Sequence, residues 1–476
     1  MKLTRILTIV LLSIVSFSLV VQAEEQKAKP KPNFVFILVD DMGWRGVGCF
    51  GSTYYETPRI DGLAAEGMKF TDAYTACHVC SPTRASIMTG QYPARLHLTD
   101  YLPGRTEPYV KLMRPVMYHH LPYETTTVAE ALKPLGYATA AIGKWHLGGK
   151  RSLPTEHGFD LNFGGCEAGH HGRMFWPYGT PDVKKGVKGE YLTDRLTDEA
   201  IKFMDKNQDR PFFLYLSHYA VHRPIQAKKE MVERYREKEN KDPCLKDPTY
   251  AAMTESVDES TGRVLDHLKK LGIDDRTVVF FMSDNGQRQE LEIPPLRCHK
   301  GTMFEGGIRV PMIVKWPGIT KPGTTCDEPV ISTDFFPTIL DMAGAKSRDV
   351  DGKSLVPLLK EEDGTFDRDA IYWHYPHYSN HFMPPCGAIR QGDWKLIEFY
   401  EDGSLQLYNL KEDLSEKHNL AKKMPEKAKA MQAKLEAWRK SVNAQEMTPN
   451  PNYNPAKTSW NRRRGKIINV YDTPPE

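Results

Sequence analysis

Three short runs in this 476-residue chain are apolar at nearly every position, and each gives way abruptly to polar residues. Asn33-Phe-Val-Phe-Ile-Leu-Val39 runs into Asp40-Asp41-Met42-Gly43, and Thr277-Val-Val-Phe-Phe-Met282 into Ser283-Asp284-Asn285-Gly286. The third, Pro211-Phe-Phe-Leu-Tyr-Leu216, runs into Ser217-His218. A run without polar alternation predicts a central strand covered on both faces. Stretches of helical spacing lie between the strands. Thr57-Pro58 opens one that continues through Ile60, Leu63, Ala64 and Met68; Thr127 to Leu135 and Asp194 to Asp205 are others. Thr249 to Leu271 reads as a long amphipathic helix. This alternation predicts an α/β layered domain whose site forms at the carboxyl edge of the strands.

Near residue 365 the pattern changes. Short strand-like pieces follow at Ala370 to Trp373, Gly387 to Arg390, Trp394 to Tyr400 and Leu405 to Asn409. A helix from Pro425 to Val442 then places Ala428, Met431, Leu435 and Trp438 on one face. These elements read as a smaller antiparallel sheet with a packed helix. The expected organisation is a signal peptide over 1–23, a catalytic domain over 32–365, an α+β subdomain over 366–445 and an irregular tail over 446–476. In the leader, Lys2 and Arg5 precede an apolar core from Ile6 to Val21 and a small-residue exit, Val21-Gln22-Ala23. That core is short for a membrane span and is broken by Ser13, Ser16 and Ser18. Export to a periplasm or the medium is therefore expected, with no stable membrane anchor.

Charge removes one class of partner. Lys and Arg number 64 against 61 Asp and Glu, and the lone arginine run, Arg462-Arg463-Arg464, sits in a polar tail. Nucleic acid is not an expected partner. Eight cysteines are present, and in an exported chain some could pair. Cys77-His-Val-Cys80 has the spacing of a redox or zinc half-motif, but no second Cys-x-x-Cys completes a zinc site.

Candidate chemistry gathers around Cys80-Ser-Pro-Thr-Arg84. Pro82 suits the first turn of a helix, where a missing N–H costs nothing. Cys80 would then lie at the positive end of the helix dipole, with Arg84 one turn later, able to hold an oxyanion in a bidentate grip. The competing reading is a buried cysteine beside a helix cap. Asp40, Asp41, Asp284 and Asn285 offer oxygen ligands from two strand ends, a set that selects Ca²⁺ or Mg²⁺ if it is not simply a group of caps and turns.

Cys80-Ser-Pro-Thr-Arg84 continuing into Ala-Ser-Ile-Met-Thr-Gly90 resembles the signature of the type I sulfatases, and Gly136-Tyr-Ala-Thr-Ala-Ala-Ile-Gly143-Lys144-Trp145-His146-Leu147-Gly148 is similar to that family's second signature. The resemblance implies an alkaline-phosphatase-like fold: a large mixed, mostly parallel sheet sandwiched by helices, followed by the smaller antiparallel sheet. It implies that a maturase oxidises Cys80 to formylglycine and that Asp40, Asp41, Asp284 and Asn285, with the modified Cys80, hold Ca²⁺ in preference to Mg²⁺. It also implies that Arg84, Lys144, His146, His222 and Lys300 serve the reaction, with His222 a better match than His218. On that reading a hydroxyl of the hydrated aldehyde attacks sulfur, Lys144, Lys300 and His222 hold the sulfuryl oxygens, and His222 or Lys300 protonates the leaving oxygen. His146 then takes a proton from the second hydroxyl as sulfate is expelled. A serine that some members place near the sulfate has no visible counterpart in Gly164 to His171.

The expected substrate is a sulfated carbohydrate. Aromatic and basic residues at His170, His171, Arg173, Trp176 and His377 are candidates for the pocket rim, as are Tyr118-His119-His120 and the stretch from Trp373 through His381. His374, His377 and His381 also raise a metal reading, which the intervening proline weakens as a helical ligand face. Two other functions fit the sequence: a phosphoester or phosphonate hydrolase of the same superfamily, and a secreted glycan-binding protein without activity.

Overall fold

The computed structural model describes residues 30–460 apart from 180–182, 184, 243, 289–292, 347, 363–365, 382 and 459. The leader and the Arg462–Arg464 run lie outside the described residues. The first half contains β1 (Asn33–Val39), α1 (Pro58–Glu66), β2 (Met68–Phe70), α2 (Cys80–Thr89), α3 (Val128–Leu132), β3 (Ala138–Gly143) and β4 (Leu161–Phe163). Then come α4 (Leu192–Asn207), β5 (Phe212–Ser217), α5 (Pro248–Leu271), β6 (Thr277–Ser283), β7 (Met312–Lys315), β8 (Thr324–Cys326) and α6 (Phe335–Met342). The last elements are β9 (Ile371–Tyr375), β10 (Cys386–Gln391), β11 (Trp394–Phe399), β12 (Leu405–Asn409) and α7 (Pro425–Ser441).

Eight strands form one sheet in the order β8-β2-β7-β6-β1-β5-β3-β4. All pairings are parallel except those of β7 with β2 and β6. The apolar run of β1 shows why both faces must be covered. Val35, Ile37 and Val39 enter a core shared with α1, α4 and α5, while Phe34, Phe36 and Leu38 enter a second core shared with α2, α3 and α6. The sheet is therefore sandwiched by helices, as its sequence pattern requires.

Two helix boundaries differ from the sequence reading for local reasons. The first helix stops at Glu66: Gly67 is extended (φ −130°), a Cβ there would lie 2.6 Å from the Val314 carbonyl oxygen, and Met68 already belongs to β2. The Thr127 helix tightens into a 3-10 turn at Lys133–Leu135, where Pro134 removes a backbone donor. Thr127 itself forms a capping box with Glu130.

Strands β9 to β12 form a separate antiparallel sheet in sequential order. Helix α7 packs on it through Ala428, Met431, Leu435 and Trp438. This core also takes in Tyr74, Cys77, Val79, Met303 and Phe304, so the small sheet rests on the segments that flank Cys80 and Lys300. Burying one such leucine contributes roughly 1.5–3 kcal/mol. Past residue 446 the chain is partly regular: Thr448–Pro449 pairs antiparallel with Leu112–Met113, and Trp460 is buried against Tyr378. No helix among the described residues is long and apolar enough to cross a membrane.

Candidate active site

Strand register brings the polar strand ends together. Val39 pairs with Ser283, Leu38 with Ser217 and Gly143 with Ser217, so β1, β6, β5 and β3 finish at one level. The residues that follow, Asp40-Asp41, Asp284-Asn285, His218 and Lys144, therefore share one edge. Asp41 takes a left-handed backbone (φ 63°), which an aspartate tolerates better than most residues. Its N–H donates to Asp284 Oδ1 at 3.2 Å, and Tyr250 O–H donates to its carbonyl at 2.8 Å.

Cys80 begins α2, whose ten residues are all buried. The sequence places this cysteine at a helix start; the structure shows that the helix runs through the core, with Ala85, Ile87 and Met88 packed beneath the sheet. Lys300 Nζ lies 3.3 Å from Cys80 Sγ, and Asp40 Oδ1 lies 3.8 Å from it. Burial pushes the thiol up to about 11 despite Lys144 and Lys300 nearby, so the unmodified side chain is a neutral thiol at pH 7.

Arg84 corrects one expectation. Its bidentate face, expected to hold a substrate oxyanion, grips Asp284 through Nε at 2.9 Å and Nη2 at 2.7 Å. Nη1 donates to the Lys144 carbonyl and to Ser217 Oγ at 2.9 and 2.6 Å. The carboxylates crowded at the strand ends claim the guanidinium before any ligand arrives. Lys144 is likewise committed, with Nζ 2.5 Å from Asp40 Oδ2 and its side chain fully buried.

The oxygen cluster fits a hard divalent cation. Asp40, Asp41, Cys80 and His222 present ligand atoms within 4.8 Å of one another. Asn285 donates through Nδ2 to Asp41 Oδ1 at 2.7 Å, while its Oδ1 is buried and has no hydrogen-bond partner. A buried acceptor without a donor, beside three buried carboxylates, is a donor set that suits a hard divalent cation. Burial and the Asp284 charge push the Asp40 carboxyl upward. For Asp41 burial acts in the same sense, but Lys300 and His222 outweigh it and hold that carboxyl well below its usual range.

A cavity of about 640 Å³ opens over Cys80 and is reached by His146, His222 and Lys300. His146 Nε2 donates to the Leu102 carbonyl at 2.8 Å, leaving Nδ1 buried without a partner. Burial and the Lys144 charge hold its imidazole well below the usual range, so it is neutral. The loop in which no serine counterpart was found meets this ring, since a Cβ on Gly169 would lie 2.6 Å from it. Lys300 pairs with Asp41, and His222 Nε2 stands 3.8 Å from Asp41 Oδ2.

The expected rim is only partly realised. His170 lines the cavity and stacks on His222 at 6.0 Å between centroids. His171 is instead buried against Tyr219, Arg173 points outward and Trp176 packs on Tyr178, none of them on the cavity wall. His377 is also off the wall: it is 1% exposed and its Nε2 meets Thr99 Oγ1 at 2.8 Å. His374 is satisfied by Tyr400 and the Gln445 carbonyl, so the three histidines of that stretch do not converge on a metal. His381 does reach the cavity, as do His119, Glu167, Arg288 and Asn380. No disulfide is formed among the eight cysteines.

Comparison with known proteins gives the family. The pattern of the family described as Sulfatase matches residues 32–345, and that described as N-sulphoglucosamine sulphohydrolase, C-terminal, matches residues 298–443. The chain is 34% identical to a protein named Sulfatase from Formosa agariphila, over 90% of this chain and 93% of that one. It is 33% identical to the N-acetylgalactosamine-6-sulfatase of Mus musculus, covering 73% of this chain and 69% of that protein. Among solved structures it is similar to Ps i-CgsB in complex with k-i-k-neocarrahexaose, with TM-score 0.74, 34% identity, and 89% and 94% of the two chains covered. The chain belongs to the type I sulfatase family and is a sulfuric ester hydrolase.

Proposed function

We propose that this enzyme removes sulfate from a sulfated saccharide, using a nucleophile made from Cys80 and a calcium ion held by Asp40, Asp41, Asp284 and Asn285. The observation that carries this reading is Cys80 at the floor of the cavity, with Lys300 at 3.3 Å and Asp40 at 3.8 Å. The polar lining, which includes His119, Glu167, Asn380 and His381, suits a hydroxyl-rich ligand. We place the catalytic domain at 32–365 and the α+β subdomain at 366–445, and we read the chain as exported and matured by a formylglycine-generating enzyme.

Bound calcium would polarise a sulfate oxygen, and formylglycine at position 80 would supply a hydrated aldehyde as nucleophile. The remaining work falls to side chains already in place. Lys300 is positioned to hold sulfuryl oxygens beside the nucleophile, and Lys144 balances Asp40 behind it. Arg84 fixes Asp284 and, through Ser217, the end of β5. His222 Nδ1 donates to the Arg223 carbonyl at 3.0 Å, and burial holds the imidazole well below its usual range. Nε2 must therefore take up a proton as the anionic ester binds before it can pass that proton to the leaving alcohol oxygen. His146 offers an unpartnered Nδ1 as the base that receives a proton when sulfate departs.

The test is sulfate release from defined sulfated oligosaccharides, run beside the matched phosphorylated saccharides. Release of sulfate with little phosphate release supports the reading; a large phosphate preference defeats it, and binding without turnover would favour a glycan-binding protein.

A further inference from the structure

Three contacts fix His146 before any ligand arrives. Its backbone is left-handed (φ 57°), and its N–H donates to the Cys166 carbonyl at 3.0 Å. The Gly169 backbone lies against the ring, where a Cβ would come within 2.6 Å of Cε1. The Leu102 carbonyl takes the Nε2 proton at 2.8 Å. A carbonyl only accepts, so this contact puts the proton of the neutral ring on Nε2 and the basic lone pair on Nδ1. Which ring nitrogen can act as the base is set by one backbone oxygen.

That oxygen has its own support. The Leu102 N–H donates to Ser81 Oγ at 3.1 Å, and Ser81, fully buried, is the residue after Cys80 on the first turn of α2. Leu102 is thus gripped on both sides, at its N–H by the neighbour of the nucleophile and at its carbonyl by the base. The residues before it are anchored on the small sheet. Asp100 Oδ1 accepts from the Tyr101 N–H at 2.9 Å and from the O–H of Tyr375, the last residue of β9, at 2.8 Å. Thr99 Oγ1 meets His377 Nε2 at 2.8 Å, which gives that histidine a structural part in holding the same segment. Tyr101 and Leu102 themselves line the cavity.

We propose that Ser81 is a positioning residue for the second half of the reaction. By holding Leu102 it keeps the proton on His146 Nε2 and the lone pair on Nδ1, so that the helix of the nucleophile and the base share one mount. The proposal rests on the sulfatase reading and adds to it a residue that acts only through another.

Two measurements on Ser81→Ala test it. In enzyme carrying ¹⁵N-labelled histidine, the ring signal that disappears in His146→Ala should report a protonated Nε2 and a bare Nδ1 in wild type, and a mixture of both tautomers in Ser81→Ala. This readout needs neither metal nor turnover. With a small aryl sulfate, Ser81→Ala should release a burst of phenol at the wild-type rate and then turn over about 10-fold more slowly, the size of one buried hydrogen bond left unmade. kcat and KM should fall together, and Ser81→Ala should add nothing further in a His146→Ala background. Rates are taken per formylglycine, counted from the mass of the Cys80 peptide, so that poor maturation is not read as slow chemistry. An unchanged single tautomer, a slower burst, or losses that multiply in the double variant overturn the proposal. Failure of the wild type to release sulfate would count against the sulfatase reading, and the tautomer would still decide the role of Ser81.

Discussion

Arg84 and Asp284 form a two-nitrogen ion pair, 2.9 and 2.7 Å long, with both side chains fully buried. The pair ties the helix that begins at Cys80 to the end of β6, and Arg84 also reaches the Lys144 carbonyl and Ser217. A buried pair adds little over an apolar packing, but breaking one strands a charge. In calcium-free enzyme, Arg84→Ala leaves Asp284 without its main counter-charge and should cost about 3–5 kcal/mol of unfolding free energy. Urea unfolding checks this, and a loss below about 1 kcal/mol would mean that water or another cation already screens the carboxylate.

Asn285→Ala removes the buried orphan oxygen without changing the charge of the cluster. Calcium affinity should fall by about 10-fold or more, and excess calcium should restore activity. Metal analysis beside a calcium titration of turnover reads both. Unchanged affinity would take Asn285 out of the ligand set.

His146→Ala should spare the first half of the reaction and slow the second, because the neutral Nδ1 is the base it removes. Stopped-flow assays should show a burst of alcohol release followed by slow steady turnover. A uniform slowing with no burst would place His146 in leaving-group departure or binding instead.

Asp258 offers a pH test away from the site. Its Oδ1 on α5 accepts from Ile60 N–H at 2.8 Å and Arg59 N–H at 3.0 Å, capping the start of α1. Burial raises this carboxyl from its ordinary 3.8 to about 7, against the pull of those donors. A folded value above the unfolded one adds stability at low pH that is lost as pH rises through about 7. Asp258→Asn keeps the accepting oxygen and does not titrate. Wild-type stability relative to this variant should therefore fall between about pH 4 and pH 7, by at most about 1.4 kcal/mol per pH unit. A constant or rising difference would show that Asp258 stays charged in the fold.

The strands and the reacting edge were legible because their signals are local. Residues 34–39 and 278–282 are apolar throughout since each run is buried on both faces, and equal strand ends bring Asp40 and Asp284 together. Arg288, Asn380 and His381 had no comparable signal. Asn380 and His381 sit in a connection tied to Gly301 through Ser379, a long-range contact without a sequence period, and Arg288 sits past the end of β6. His377 and His381 show the same limit. Both belong to the connection between β9 and β10, yet one turns inward to Thr99 and the other reaches the cavity. Arg84 was found, but its partner was misread, because only the assembled edge reveals how many carboxylates compete for it.

The most direct test of the account is the mass of the Cys80-containing peptide from enzyme that is actively releasing sulfate. The account predicts the mass loss of cysteine converted to formylglycine, in proportion to specific activity, with no turnover in Cys80→Ala. Full activity from enzyme whose Cys80 is an unmodified thiol would contradict it.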